Sequence, residues 1–198
     1  MKTIYDSKFK TDVLIVGQGE FDVSNSGLIM TTTLGSCISV CLHDPIAKVG
    51  GMNHYMLPEP AIEHNAIVFE KAKYGIGSME ILINELMKVG ANRTKIQAKV
   101  FGGANMFGSD NDISSAMKVG EQNIIFAKKY LAAEKIEIVS IDVGGDSARK
   151  IYFDTKYGNV KLFRISSKDH ELEKEESSYF EKIRNQSIDQ NHKKITFF

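Results

Sequence analysis

The chain predicts an α+β fold, layered sheets with two packed helices, the sheet being mixed or divided in two. Three features carry that expectation. Extended runs outnumber helical ones and recur as hairpins. Two stretches repeat apolar residues at helical spacing. The order is strands, helix, strand, helix, strands, with no internal repeat.

Residues 12–16 form a short apolar run ended by Gly17-Gln-Gly19, and residues 21–26 read as loop. Residues 27–33 are the next strand candidate. They lead through Leu34-Gly35-Ser36 to Cys37, with Gly35 free to take a tight bend. From Cys37 to His43 the chain alternates: Ile38, Val40 and Leu42 point one way, and Cys37, Ser39, Cys41 and His43 the other. Asp44-Pro45 opens a turn, because proline presets its φ and aspartate caps turns. A second extended run covers residues 48–57 and ends at Pro58-Glu-Pro60.

Residues 75–89 predict a helix, with Ile76, Met79, Ile83, Leu86 and Met87 on one stripe and Gly90 as the stop. Residues 95–101 alternate as a strand, followed by a loop through Gly102-Gly103 and on to residues 109–112. A second helix runs from about residue 120 to 133 and buries Ile124, Ile125, Ala127 and Leu131. Residues 136–143 form a strand ended by Gly144-Gly145. Residues 150–154 and 159–165 form a hairpin around Thr155-Lys-Tyr-Gly158. We divide the chain into one domain over residues 1–166 and a charged extension over 167–198. The extension carries a candidate exposed helix around residues 175–184 and an apolar end, Phe197-Phe198, expected to dock.

The hairpin of residues 37–57 carries the chemistry. A four-residue loop over 44–47 sets His43 against Lys48, Val40 against Gly51 and Cys37 against His54. Directly opposed Cβ atoms lie about 4.5–5.5 Å apart, which suits a thiol–imidazole hydrogen bond. A slip of one residue would turn the histidine to the other face. A thiol beside an imidazole is the minimum equipment for attack on an amide carbonyl.

Composition narrows the function classes. Lys+Arg and Asp+Glu are each 25, so the formal net charge is zero and gives no electrostatic case for nucleic acid. No apolar run is long enough to cross a bilayer, and the first residues lack a signal-peptide core, so no membrane insertion and a cytoplasmic location are expected. Cys37 and Cys41 are the two cysteines. Four residues apart on a strand they stand about 13 Å apart, too far for a disulfide. Cys41 is expected to be buried packing. His43 and Cys41 share a face but lack third and fourth metal ligands nearby. The glycine pairs have neither Walker nor dinucleotide-binding spacing, so no metal and no cofactor are expected. His64, His170 and His192 are expected at the surface.

The chain resembles the CheD family, the chemoreceptor glutamine deamidases of bacterial chemotaxis. The resemblance is carried by Leu34-Gly-Ser-Cys-Ile-Ser-Val-Cys-Leu42, His43-Asp-Pro45, Lys48-Val-Gly-Gly-Met-Asn-His-Tyr-Met-Leu-Pro58 and Lys73-Tyr74. It continues in Val100-Phe-Gly-Gly-Ala-Asn-Met-Phe107, Gly120-Glu-Gln-Asn123, Ile141-Asp-Val-Gly-Gly145 and Ala148-Arg-Lys-Ile-Tyr-Phe-Asp-Thr155. It implies a three-layer fold shared with cysteine deamidases of the cytotoxic-necrotizing-factor type. It also implies a Cys–His–Thr catalytic set. By motif these are Cys37, His54 and, six residues before the cysteine, Thr31, within a run where Thr32 and Thr33 are the alternatives.

The expected activity is deamidation of chemoreceptor glutamines to glutamate through a cysteine thioester, a protein-glutamine glutaminase reaction. Backbone N–H groups near Ser36 and Cys37 are the candidate oxyanion donors. The expected substrate is the cytoplasmic helices of chemoreceptors. Family members are bound by a chemotaxis phosphatase, which makes such a protein a candidate partner. Two other readings stand beside this one: a non-catalytic adaptor that binds receptors or the phosphatase, and a generic cysteine hydrolase of small amides or esters.

Overall fold

The structure, a computed structural model, describes residues 1–56, 75–105 and 114–165. The expectations for Pro58, His64, the 109–112 loop, His170, His192 and the extension from residue 167 lie outside the described residues.

Ten strands and two α-helices make up the described chain. The strands are β1 (Lys2–Asp6), β2 (Thr11–Ile15), β3 (Phe21–Ser24), β4 (Ile29–Leu34), β5 (Ile38–Asp44), β6 (Val49–Asn53), β7 (Gln97–Gly102), β8 (Glu137–Val143), β9 (Ala148–Asp154) and β10 (Val160–Ile165). The helices are α1 (Gly75–Lys88) and α2 (Ser114–Ala133). One sheet runs β1-β2-β4-β9-β10 and the other β3-β6-β5-β7-β8. Both are mixed, since β2 pairs with β4 and β7 with β8 in parallel. The expected α+β class with layered sheets and two packed helices is what the chain adopts.

The alternation read in β5 sets the layering. Ile38, Val40 and Leu42 are fully buried in one cluster with Met79, Leu82 and Leu86 of α1 and Ala127 and Leu131 of α2. The other face of β5 and β6 looks at the first sheet. There the His43 ring approaches the Lys156 carbonyl, and a Cβ on Gly50 would meet the Thr155 backbone. The result is sheet, sheet, helices.

Four expectations shift. Residues 21–24 are a strand, not loop, because β3 pairs with β6 (Phe21↔Asn53 to Ser24↔Gly50). Residues 2–6 also form an edge strand, against β2. Both strands are short and carry polar residues, so alternation alone does not mark them. On α1 the buried stripe is Ser78, Met79, Leu82, Ile83 and Leu86, while Ile76 and Met87 are exposed. On α2, Ala127 and Leu131 are buried as expected but Ile125 is exposed, its place on the inner face taken by Asn123. Gly90 does end α1: the Ala91 N–H donates to the Leu86 carbonyl and the Gly90 N–H to that of Met87, with Gly90 at φ +113°.

Arg149 of β9 is 1% exposed and joins the two sheets. It donates to the Asp142 carboxylate (2.8 Å) and to the carbonyls of Gly102 (3.1 Å) and Gly144. Its removal takes a donor from each of these groups, although Asp142 keeps Arg164 (2.8 Å) and the Gly102 carbonyl keeps the Gly144 N–H (2.9 Å). Arg149→Met is expected to lower unfolding free energy by about 2 kcal/mol in urea titration. A loss within experimental error would show that these contacts do not hold the sheets together.

Candidate active site

The β5–β6 turn is built by Asp44. Its carboxylate accepts the N–H groups of Ile46 (2.8 Å), Ala47 (3.0 Å) and, from beyond α1, Asn92 (2.7 Å). Those bonds hold its carboxyl below the usual aspartate range, outweighing the opposite pull of burial. Asp44 therefore stays in the strand and pairs with Val49, the loop is residues 45–48, and Lys48 takes a left-handed conformation (φ +56°). The pairing is thus displaced by two residues from the expected one: His43 faces Gly50, Leu42 faces Gly51, and Ile38 faces Tyr55.

Cys37 is accordingly not directly opposite His54. A shift of two preserves the face, however, so Cys37 and His54 remain on one side of the strand pair as diagonal neighbours. Diagonal neighbours on one face lie about 7–8 Å apart, Cβ to Cβ somewhat less, within reach of an aromatic ring. The ladder is also interrupted there. The Asn53 side chain, not its main chain, accepts the Val40 N–H (2.8 Å). The His54 main chain instead bonds to the β3 side: its N–H donates to Glu20 O (2.9 Å) and its carbonyl accepts from Gly19 (2.7 Å).

The imidazole is held from the other sheet. Thr32 Oγ1 lies 2.8 Å from His54 Nδ1, with both residues buried. Thr31, the residue expected by motif spacing, does not reach the ring; its hydroxyl donates to the Ile151 carbonyl (2.8 Å). The reason is alternation along β4. Met30, Thr32 and Leu34 share the inward face, and Thr31 and Thr33 the opposite one. That signal was present in the sequence, because Met30 and Leu34 mark the core-facing positions and Thr32 lies between them.

The ring's Nε2 is buried with no hydrogen-bond partner among the described residues. Burial pushes the His54 pKa down from 6.5 to about 4, against the weaker opposing effects of the Val16 main chain and the Glu20 carboxylate. The ring is therefore neutral at pH 7. In the neutral ring one nitrogen carries the proton; with it on Nδ1, that N–H donates to Thr32 Oγ1 and Nε2 is the acceptor.

Cys37 is 4% exposed, at the bend that enters β5. Its carbonyl accepts from the Gly103 N–H (2.7 Å), and the Gly35 carbonyl accepts from Ala104 (2.7 Å). Gly102 takes φ +114°, and a Cβ there would collide with the Cys37 carbonyl oxygen. The glycine pair thus serves close backbone approach to the cysteine. Cys41 is buried, forms no disulfide, and its thiol is pushed up to about 12 by burial. Both properties suit packing rather than chemistry. Among the described residues no cluster of metal-ligating side chains is found, and no helix is long and apolar enough to cross a membrane.

A buried thiol on the face shared with an imidazole, and a hydroxyl that holds that ring, form the kind of set that thiol-dependent hydrolases use. Comparison with known proteins identifies the lineage. The family described as CheD chemotactic sensory transduction matches residues 56–164. A Laribacter hongkongensis protein named as a probable chemoreceptor glutamine deamidase CheD is 37% identical over 190 residues, 94% of this chain and 89% of its own length. Similarly named proteins of Chromobacterium violaceum (38% identity, 87% and 83% covered) and Shewanella oneidensis (36%, 91% and 86%) agree. The chain belongs to the CheD family. Among solved structures, a Bacillus licheniformis hypothetical protein, YfiH, is similar at 14% identity with a TM-score of 0.34, covering 67% of this chain and 58% of its own. At that level nothing about function passes between them.

The depressed His54 pKa has a consequence for stability. Unfolded, the ring titrates near 6.5; folded, near 4. Between those values the unfolded chain binds the proton and the native chain does not. The contribution is therefore fully present above pH 6.5 and lost as pH falls to 4, by about 3 kcal/mol in total. Denaturant titrations at stepped pH should show this slope, and His54→Gln should flatten it. An unchanged slope in the variant would contradict a buried neutral ring.

Proposed function

We propose that this chain deamidates specific chemoreceptor glutamines to glutamate, with Cys37 as nucleophile, His54 as proton carrier and Thr32 as the residue that orients the ring. The reading draws on the family and on one observation above all: Thr32 holds Nδ1 and leaves a buried Nε2 on the face that Cys37 shares.

The steps balance with these groups. Cys37 Sγ attacks the side-chain amide carbon as Nε2 takes the thiol proton, so charge separates in the attack and is not stored in the resting pair. Peptide N–H groups near Ser36 and Cys37 stabilise the oxyanion, a contribution of about 3–4 kcal/mol where such donors are well placed. The carbon–nitrogen bond breaks as His54 returns the proton to the departing nitrogen. Ammonia leaves and a thioester remains. Water then attacks the thioester carbon and gives a proton to Nε2, and the sulfur departs and recovers it. Glutamate is released with one new negative charge, which alters repulsion between receptor helices. The substrate helices are the cytoplasmic ones, which puts the chain in the cytoplasm, and a chemotaxis phosphatase is its candidate partner.

Incubation with a receptor cytoplasmic fragment, read by mass spectrometry as the one-mass-unit gain per glutamine, tests the assignment. Cys37→Ala should abolish the gain. Thr32→Val should slow it roughly 10–100-fold, and Thr31→Val by less than about threefold. Full activity in Cys37→Ala would end the nucleophile assignment. Equal loss in the two threonine variants would end the choice of Thr32.

A further inference from the structure

Asn123 lies on α2, fully buried, and its side chain leaves the helix to bind two other segments. Its Nδ2 donates to the Ser36 carbonyl (3.2 Å) and to the Met56 carbonyl (3.0 Å). One carboxamide thus ties the residue before the cysteine to the residue two beyond the histidine. The helix turn that carries it is itself pinned. The Tyr55 hydroxyl donates to the Asn123 main-chain carbonyl (3.0 Å). Three residues earlier, Gly120 packs so closely on Gly103 that a Cβ would meet the Gly103 oxygen at 2.9 Å. None of this serves the helix, whose core contacts are made by Ala127 and Leu131. An apolar residue at position 123 would pack against the same ground but leave the Ser36 and Met56 carbonyls without this donor.

The Ser36 carbonyl belongs to the peptide whose N–H is that of Cys37. In a planar trans peptide the C=O and N–H point in opposite directions. Pinning the carbonyl toward α2 therefore aims the Cys37 N–H away from the helix layer, toward the sheet-facing side where His54 meets Thr32. The same bond polarises the peptide and strengthens its N–H as a donor.

We infer that Asn123 is a positioning residue for the deamidation step: it sets the orientation of the Ser36–Cys37 peptide so that the Cys37 N–H meets the developing oxyanion. This rests on the reading of Cys37 as nucleophile. Asn123 acts through the peptide and does not itself touch the substrate. Its loss therefore weakens transition-state stabilisation and spares both substrate binding and the thiol.

The test separates those effects in Asn123→Leu, which removes both donors at similar volume. Steady-state deamidation of a receptor fragment should show kcat reduced about 100-fold and KM within about twofold. Alkylation of Cys37 by iodoacetamide, mapped by peptide mass to distinguish it from Cys41, builds no oxyanion. It should stay within about threefold of wild type. Should Asn123→Leu fail to fold, Asn123→Ser keeps one donor and should show about a tenfold loss in kcat by the same two readouts. Unchanged kcat, a change confined to KM, or equal loss of turnover and alkylation would each overturn the inference. Cys37→Ala runs in parallel. If it is inactive while Asn123→Leu turns over normally, this inference alone fails; if it is active, the nucleophile reading fails first.

Discussion

One hydrogen bond between two sheets, linking His54 and Thr32, decides what this site is able to do. A histidine buried in a β-sandwich loses its charge, because desolvation of the imidazolium costs more than the Glu20 carboxylate and the Val16 main chain return. What remains is a neutral ring with one donor and one acceptor. Thr32 occupies the Nδ1 side, which leaves Nε2 for the face that Cys37 shares. The rest of the architecture keeps these partners in place: β4 supplies the hydroxyl, the residue just after β6 the ring, and the bend before β5 the sulfur.

The second sheet reaches the cysteine through backbone as well as side chains. Arg149 gathers the carbonyls of Gly102 and Gly144, and Gly103 passes that rigidity on by donating to the Cys37 carbonyl. On the opposite side α2 presses Gly120 against the same segment and extends Asn123 to Ser36 and Met56. The Cys37 backbone is thus gripped from two layers. Such support is what a reaction needs when its barrier depends on a donor aimed at a charge not present in the ground state.

Much of this could be read from the residues. Alternation in β5 and helical spacing in α1 and α2 reflect burial on one face, and burial is written directly in side-chain polarity. The face shared by Cys37 and His54 survived a pairing error of two residues, because strand periodicity is also two. The register itself was not legible. It depends on Asp44 staying in the strand while its carboxylate caps the turn and reaches Asn92, a contact across 48 positions. The choice of Thr31 followed motif spacing and overlooked the apolar brackets at Met30 and Leu34. Asn123 was visible as part of a motif, but its two carbonyl partners lie 67 and 87 residues away, and no local pattern announces them. Strands β1 and β3 escaped because short polar strands owe their existence to their neighbours.

The most direct measurement of the central claim is the protonation pattern of His54, read by nitrogen NMR of the uniformly labelled protein near pH 7. A neutral ring with its proton on Nδ1 and a bare Nε2 is expected, with loss of that tautomer's preference in Thr32→Val. A ring protonated on Nε2, or an imidazolium at neutral pH, would contradict it.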